Sequence, residues 1–556
     1  MRNLIRVGAL CAILGGAAVA QPPLIYNRSI YNAASFMPAG VPMGAIAQGS
    51  IFSIFGNFLG PSKAVTASSF PLANTLAGVS INIIQGSTTV PAIPVYVGIG
   101  QINAIMPSTA PLGIASVQVV VNNARSNMAP IQIVSSEVGI FTANGTGIGP
   151  GVLWNFIAQN NQPVNSPTVT AKNGQVITLW GTGLGPIAGA DNVAPTTGNL
   201  PVQVQVFVGG QPATVQYSGR SGCCAGVDQI VFTVPKNAPT GCWVPVYVKT
   251  GGTTISNFVT MAIEPTPGVC TTDVLPQVTS SFVQGKRIAE ALATRTVTRQ
   301  DVGVLAPVDI TSDYHVDFAF QPDPGQFPFN PAIAFPPSGT CTAYAHPGDM
   351  LNGSPLPGMA PTTMPLDMGA PFLLTGPNGS KTLSAGFFGA QAGYLGGSIS
   401  NNILSSSLFL DPGSYTLQGF GGADVGPFST SFTIPQPLTW TNRLQTNVVN
   451  RTQPLTISWS GGDSGQVVAM LGFGDDLPSN SSAVFVCIAP PGATSFTVPT
   501  DMLSILPATR LNPLQSNDVI YLMALSGSSL KSIAAKGLDV GLTSFYSIIG
   551  KTVVWQ

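Results

Sequence analysis

Hydrophobic residues along this chain fall into short stretches that alternate with polar ones and end at Gly, Pro, Asn or Ser. Examples are IFSIFG (51–56), VITLWG (176–181), LTISWS (455–460), AVFVCIA (483–489) and DVIYLMAL (518–525). A period of two, with β-branched and aromatic enrichment between turn residues, predicts brief β-strands. In VITLWG, Val176, Thr178 and Trp180 share one face, while Ile177 and Leu179 share the other. Bulk on both faces predicts an inner strand, and Gly56 and Gly181 are expected to end their strands by taking positive φ. In the last part, 437–556, helical spacing is confined to 501–506, with Thr500 placed to cap it.

Three further stretches shape the expected layout. Residues 286–301, KRIAEALATRTVTRQD, carry the densest charge and read as a short helix or an exposed strand, the strand being preferred. From 320 to 371 prolines recur, and each lacks the amide donor of a central strand, so surface loops or sheet edges are predicted. Strands resume at PFLLTGPNGSKTL (371–383), where Gly376-Pro377-Asn378-Gly379 predicts a hairpin turn.

The first half repeats itself. GSIFSIFGNFLGP (49–61) aligns with GQVITLWGTGLGP (174–186), and QINAIMP (101–107) aligns with QIVFTVP (229–235). A Gly follows each second motif at the same distance, Gly113 and Gly241. A repeat of this length fits one sandwich per unit. The fold class expected is all-β, as tandem immunoglobulin-like β-sandwiches. The predicted domains are 21–137, 138–266 (disulfide-stapled), 267–436 with Pro-rich loops, and 437–556, behind a signal peptide at 1–20.

Several of these residues carry a family resemblance. The G-x-x-L-G-P turn, VGGQPA (208–213), the strand ending at Val234-Pro235 and GCWVPVYV (241–248) resemble IPT/TIG immunoglobulin-like domains. Asn32-Ala33-Ala34-Ser35, the two G-P turns and Cys223-Cys224 resemble an uncharacterised domain family common in secreted acidobacterial proteins. The likeness covers about 26–264, and a weaker one covers 410–428 and the segment LTISWSGGDSG. For IPT/TIG domains it implies a seven-stranded sandwich serving as spacer or binding module in cell-surface proteins. The extra cysteines depart from the plain IPT/TIG pattern.

Composition sharpens the compartment more than the chemistry. Arg2 and Arg6, an apolar core and Ala18-Val19-Ala20 before Gln21 predict a cleavable secretory signal. No later stretch is long and apolar enough to predict a membrane span. Only 7% of the 556 residues are charged, with 20 basic against 21 acidic side chains, which argues against nucleic acid or an anionic membrane as partner. The surface is therefore expected to be Thr, Ser, Asn and Gln, with 63 Gly and 49 Pro supplying turns.

Seven cysteines become six once Cys11 leaves with the signal, which favours disulfides over metal or redox roles. Cys223, Cys224, Cys242 and Cys270 are the disulfide candidates. Cys242 is placed to meet one member of the vicinal pair and Cys270 the other, with connectivity open. Cys487 reads equally as a buried thiol.

Candidate chemistry is sparse. Asp313, His315 and Asp317 alternate in DYHVDFAF and would project from one strand face as metal ligands. The preferred reading is the solvated side of an amphipathic strand, with Tyr314, Val316 and Phe318 inward. Gly462-Asp463-Ser464-Gly465 resembles a serine-protease nucleophile motif, but Gln466 and the surroundings of His315 and His346 do not fit, so it reads as a tight turn. His346-Pro347-Gly348-Asp349 reads as another turn. Trp154, in a Gly-rich connector, and Trp555 are candidate stacking surfaces for sugars, and 145–151, GTGIGPG, reads as a linker. No cofactor is predicted.

The function these features favour is a secreted, non-enzymatic structural, adhesive or ligand-binding protein, with an extracellular polysaccharide or protein as partner. The alternative is a secreted hydrolase or carbohydrate-binding accessory protein with its site in 271–556.

Overall fold

The computed structural model describes residues 21–39, 41–301, 307–322, 329, 331, 334–347, 363–383, 385–388, 391–396, 408–463, 465–476, 481–509 and 518–556. The signal-peptide stretch 1–20 and Ser464 lie outside the described residues. The chain is almost entirely β. Among the described residues, no helix is long and apolar enough to cross a membrane.

The first unit contains β1 (Leu24–Asn32), β2 (Ile46–Ala47), β3 (Ile51–Asn57), β4 (Val79–Gln85), β5 (Thr88–Val97), β6 (Gln101–Ile105), β7 (Gly113–Val121) and β8 (Ala129–Val134). Its strand order is β1-β3-β6-β5-β4-β7-β8-β2. The second unit contains β9 (Gly139–Ile140), β10 (Gly149–Pro150), β11 (Val176–Thr182), β12 (Val204–Val208), β13 (Gln211–Arg220), β14 (Asp228–Thr233), β15 (Gly241–Thr250) and β16 (Val259–Ile263). Its order, β9-β11-β14-β13-β12-β15-β16-β10, is the first unit's shifted by one repeat.

This is the immunoglobulin arrangement, A-B-E-D facing C-F-G, with a short parallel strand added beside G. One strand serves both layers. β5 pairs with β4 through Thr88–Ala92 and with β6 through Ile93–Val97, and β13 does the same in the second unit, each with a bulge. Inward alternation fills each sandwich, with Phe52, Ile54, Ile81 and Val117 in one, and Ile177, Leu179, Phe232 and Val246 in the other. Each such buried side chain contributes roughly 1.5–3 kcal/mol.

Gly56 and Gly181 have a different role from the one expected. Both lie inside strands, and neither takes positive φ. A Cβ at Gly56 would stand 2.0 Å from the Leu24 carbonyl oxygen, and one at Gly181 would stand 2.5 Å from that of Gly139. These glycines let the edge strands β1 and β9 close on the sheet. The turn after β3 uses Phe58 at φ 55, and the turn after β11 uses Gly183 at φ 108. The expected linker 145–151 is also structural, since Gly149–Pro150 is β10 and is buried against β16.

The second half contradicts a division at 436/437. After α1 (Pro276–Val283) come β17 (Ile288–Gln300), β18 (Val308–Pro322), β19 (Thr340–Pro347), β20 (Thr363–Pro365), β21 (Phe372–Gly376), β22 (Gly379–Leu383), β23 (Gly413–Gly419) and β24 (Phe428–Ile434). Then follow β25 (Leu438–Trp440), β26 (Leu455–Gly461), β27 (Val467–Asp476), β28 (Ser481–Ile488), β29 (Ser495–Val498), α2 (Thr500–Leu503), β30 (Val519–Leu525) and β31 (Val540–Thr552). A nine-stranded sheet runs β19-β28-β27-β30-β31-β17-β18-β20 along its main path, so it draws strands from both predicted domains. Local strand texture reports each strand and not its partner, which is why two separate sandwiches were expected.

β17, expected to be exposed, is central. It pairs parallel with β31 from Ile288↔Val540 to Arg299↔Lys551 and antiparallel with β18 along its whole length. Its two arginines are neutralised by nearby acids. Arg295 pairs with Asp313 and Asp411, Arg299 pairs with Asp301 and Asp309, and Lys551 pairs with Asp301. The Pro-rich stretch supplies the two sheet edges, β19 and β20, as its missing amide donors require. β21 and β22 form the hairpin expected at Pro377-Asn378. α2 follows Pro499, so Thr500 opens the helix and does not cap it.

Two small sheets back the large one. β22-β21-β23-β24 covers the alanine face of β17, and β25-β26-β29 covers the β19–β30 end together with Trp440, Trp459 and Trp555. The second sandwich docks on the β19 edge. Trp243 meets Phe329 edge-on with ring centres 5.7 Å apart, and Tyr247 and Lys249 both donate to Asp501 at 2.7 Å.

Candidate functional site

The sequence of β17 alternates Ile288, Glu290, Leu292 and Thr294 with Ala289, Ala291 and Ala293. The alanines let the small four-stranded sheet approach one face. The larger residues stand on the opposite face, which is left concave. Cross-strand pairing sets the order there: Phe318 beside Glu290 and Leu542, Val316 beside Leu292 and Ser544, Tyr314 beside Thr294 and Tyr546.

Of these positions all but Val316 and Tyr314, with Phe320, Leu471, Met523 and Ile548, floor a groove of about 370 Å³ that Val278 of α1 and Phe335 flank. Among the described residues its lining is apolar apart from Glu290, Thr294, Ser544 and Tyr546. A mainly apolar concavity of this size with a few convergent polar groups is the usual form of a small-molecule site.

Glu290 is the chemical focus. Ser544 Oγ donates to its Oε1 at 2.6 Å, and among the described residues no group donates to its other oxygen. Burial pushes the carboxyl pKa up, against the lowering effect of the Ser544 hydrogen bond. The Tyr546 phenol is also pushed up, first by burial and then by Glu290. Neither residue was singled out in the sequence. Reading β17 as a strand covered on both faces would have exposed Glu290 as the acid on an apolar row.

On the other face of the same sheet lies the row Asp313, His315 and Asp317. All three are fully buried, which overturns the solvated-face expectation. Tyr314 and Phe318 are the half-buried ones, and Phe318 lines the groove. β18 is flanked by β17 and β20 and its Asp313–His315–Asp317 face is buried while Phe318 lines the groove, so alternation alone could not say which side meets water. Asp313 accepts from Arg295 Nε at 2.9 Å and from the Leu410 amide at 2.8 Å. His315 Nε2 lies 3.0 Å from Asp317 Oδ1. Among the described residues, His315 Nδ1 and Asp317 Oδ2 find no partner, and no three His, Cys, Asp or Glu side chains are arranged to hold a metal ion.

The remaining candidates are structural in placement. Trp154 lies on a short strand, Leu153–Asn155, paired with β11, and its ring is 5.0 Å from that of Trp180, both half-buried. It is therefore not free in a connector. Trp555 is buried and donates to the Phe473 carbonyl at 2.8 Å. His346 and Pro347 close β19, and Gly348 and Asp349 of the expected turn lie outside the described residues. In the Gly462–Gly465 segment, Asp463 accepts from Ser526 Oγ at 3.0 Å and the Ser528 amide at 2.9 Å.

The cysteines pair as Cys242–Cys270, Cys223–Cys224 and Cys341–Cys487. The expectation that Cys242 and Cys270 would each take one member of the vicinal pair is corrected. Cys242 begins β15 and lies 5.6 Å, Cα to Cα, from Cys270. Cys487 is no free thiol. It faces Cys341 across the β19–β28 register and ties together the stretches predicted to be separate domains.

No family model matches the chain, and no curated protein matches it. Among solved structures, it overlays on domains 5–6 of the S-layer protein SbsC at 10% identity and TM-score 0.15, covering 44% of this chain and 99% of that one. Sidekick-1 immunoglobulin domains 1–4 overlay at 11% identity and TM-score 0.12, covering 94% and 99%. SGBP-B from a xyloglucan utilization locus of Bacteroides uniformis overlays at 10% identity and TM-score 0.15, covering 87% of each chain. Scores this low carry no argument about this chain. The immunoglobulin order described above stands on the chain's own strand pairing.

Proposed function

We propose that the chain is an exported, non-enzymatic binding protein of the cell surface or extracellular space. In this reading the two sandwiches are a stiff mount of IPT/TIG type, and the nine-stranded sheet presents a ligand groove. The observation that carries it is the apolar groove with Glu290 as the one carboxyl among its described residues, built across strands from both halves of 267–556. Three disulfides support the exported setting, since such bonds persist in oxidising compartments.

Nile red fluorescence with the mature chain tests the groove. Wild-type protein is expected to bind the dye, and Leu292→Trp, which fills the floor, is expected to lose it. Equal binding by both would remove the groove from the function. Turnover of ester, peptide or glycoside substrates by the purified chain would overturn the non-enzymatic reading.

A further inference from the structure

Glu290, half-buried on the groove floor, lacks the cation that three other acids of this protein carry. Asp228 has Arg220, Asp313 has Arg295, and Asp301 has Lys551. Among the described residues, no Arg, Lys or His pairs with Glu290. A buried carboxylate is normally held by a cation or by several donors. Here one hydroxyl occupies Oε1, and the rest of the carboxyl faces an apolar space.

We infer that the groove takes an amphiphile with an apolar body and an ammonium end, the ammonium donating to the free oxygen of Glu290. This rests on the groove being the binding site and adds the class of its ligand. The geometry supports that polarity. Ser544 Oγ already uses the carboxyl as an acceptor, and Phe318, Leu292 and Leu542 beside it offer only apolar surface to the ligand's body. An N–H donor bearing positive charge gives Glu290 what Asp228, Asp313 and Asp301 receive from their own chain, through a charge-assisted hydrogen bond. An anionic end would meet like charge, and a neutral hydroxyl would gain only the weaker bond.

The test uses the full mature chain and three probes of equal chain length: decylammonium, decanol and decanoate. Each displaces Nile red from the groove. The expected order is decylammonium tightest, decanol at least tenfold weaker, and decanoate weakest. Glu290→Gln is expected to bring decylammonium to within about threefold of decanol, each titrated directly against the variant.

Equal displacement by the amine and the alcohol in wild-type protein would overturn the ligand class and leave the groove standing, as would an amine preference that survives Glu290→Gln. Failure of Nile red and all three probes to bind would overturn the groove itself. Near-ultraviolet circular dichroism of Glu290→Gln, matching wild type, keeps loss of preference separate from loss of fold.

Discussion

Arg220 donates through Nη2 to the carbonyl of Gly49, 171 residues away in sequence, at 2.9 Å. The same nitrogen donates to the Gly185 carbonyl at 2.8 Å, so one buried guanidinium joins the start of the 49–61 motif to the end of the 174–186 motif. Gly49 sits at φ +71, and a Cβ there would stand 2.2 Å from that nitrogen. Asn32, Thr182 and Asp191 reinforce the junction, with Thr182 Oγ1 accepting from the Ile51 amide at 2.8 Å and Asp191 accepting from Ser108 at 2.7 Å.

Removing Arg220 leaves Asp228 buried without its cation and Gly49 without its donor. Arg220→Ala is expected to lower the unfolding free energy by about 3–5 kcal/mol, the usual cost of breaking a buried pair from one side. Arg220→Met combined with Asp228→Leu is expected to cost less than the single change. Urea denaturation of the three proteins decides it, and a double variant as unstable as the single one would sink the account.

The Cys341–Cys487 bond closes a loop spanning 146 residues. On the chain-entropy model its removal costs about 5 kcal/mol. Replacing both cysteines with Ala is expected to lower the thermal midpoint well beyond the effect of the same change at Cys223 and Cys224, whose sequence separation is 1. Calorimetry of the two double variants compares them directly.

Stability is expected to fall as pH rises from about 4.5 to 7. Burial pushes the Glu137 carboxyl up to about 7 from an ordinary 4.5, against the opposing Ala45 amide hydrogen bond. Burial likewise pushes Asp273 up to about 6 from 3.8. Between the unfolded and folded values the native chain holds protons that the unfolded chain has lost, so raising pH favours unfolding. For Glu137 the effect is at most about 3 kcal/mol. Denaturation midpoints at pH 5 and pH 7.5 measure it, and Glu137→Gln is expected to flatten the profile. A wild-type midpoint that climbs across this interval contradicts the sign.

Gly181→Ala is expected to cost roughly 1–3 kcal/mol, the range for overpacking a filled site. The same change at Gly210, whose added Cβ meets nothing within 4 Å, tests glycine loss without a clash, although its φ of +78 still adds strain. Hydrogen exchange of the Gly139 and Ile140 amides, on the strand that Gly181 admits, is expected to quicken in Gly181→Ala only.

Glu290→Leu is expected to raise stability by about 1 kcal/mol, because an apolar side chain replaces a carboxyl whose burial has no cation to offset it. The same change removes the discrimination between decylammonium and decanol. A stability loss on thermal denaturation would show that Glu290 is held by the fold and not reserved for a ligand.

Much of the fold was legible locally. Alternation in IFSIFG and VITLWG announced inner strands, and the repeated G-P turns announced two sandwiches of one kind, because strand texture and turn chemistry act over a few residues. The candidate site was less legible. Asp313, His315 and Asp317 were noticed as a row, but their burial follows from strands that arrive from elsewhere in the chain. Glu290 passed unnoticed because the charge around it suggested a solvated strand.

By itself, then, the sequence determined the strand content, the duplicated immunoglobulin-like pair and the presence of a disulfide framework, all of which follow from short-range pattern and composition. The tertiary structure alone decided the nine-stranded sheet, the cysteine pairing, the Arg220 junction and the groove around Glu290. Each depends on which distant strands become neighbours, and a period-two pattern states that a strand has two faces without naming what covers them.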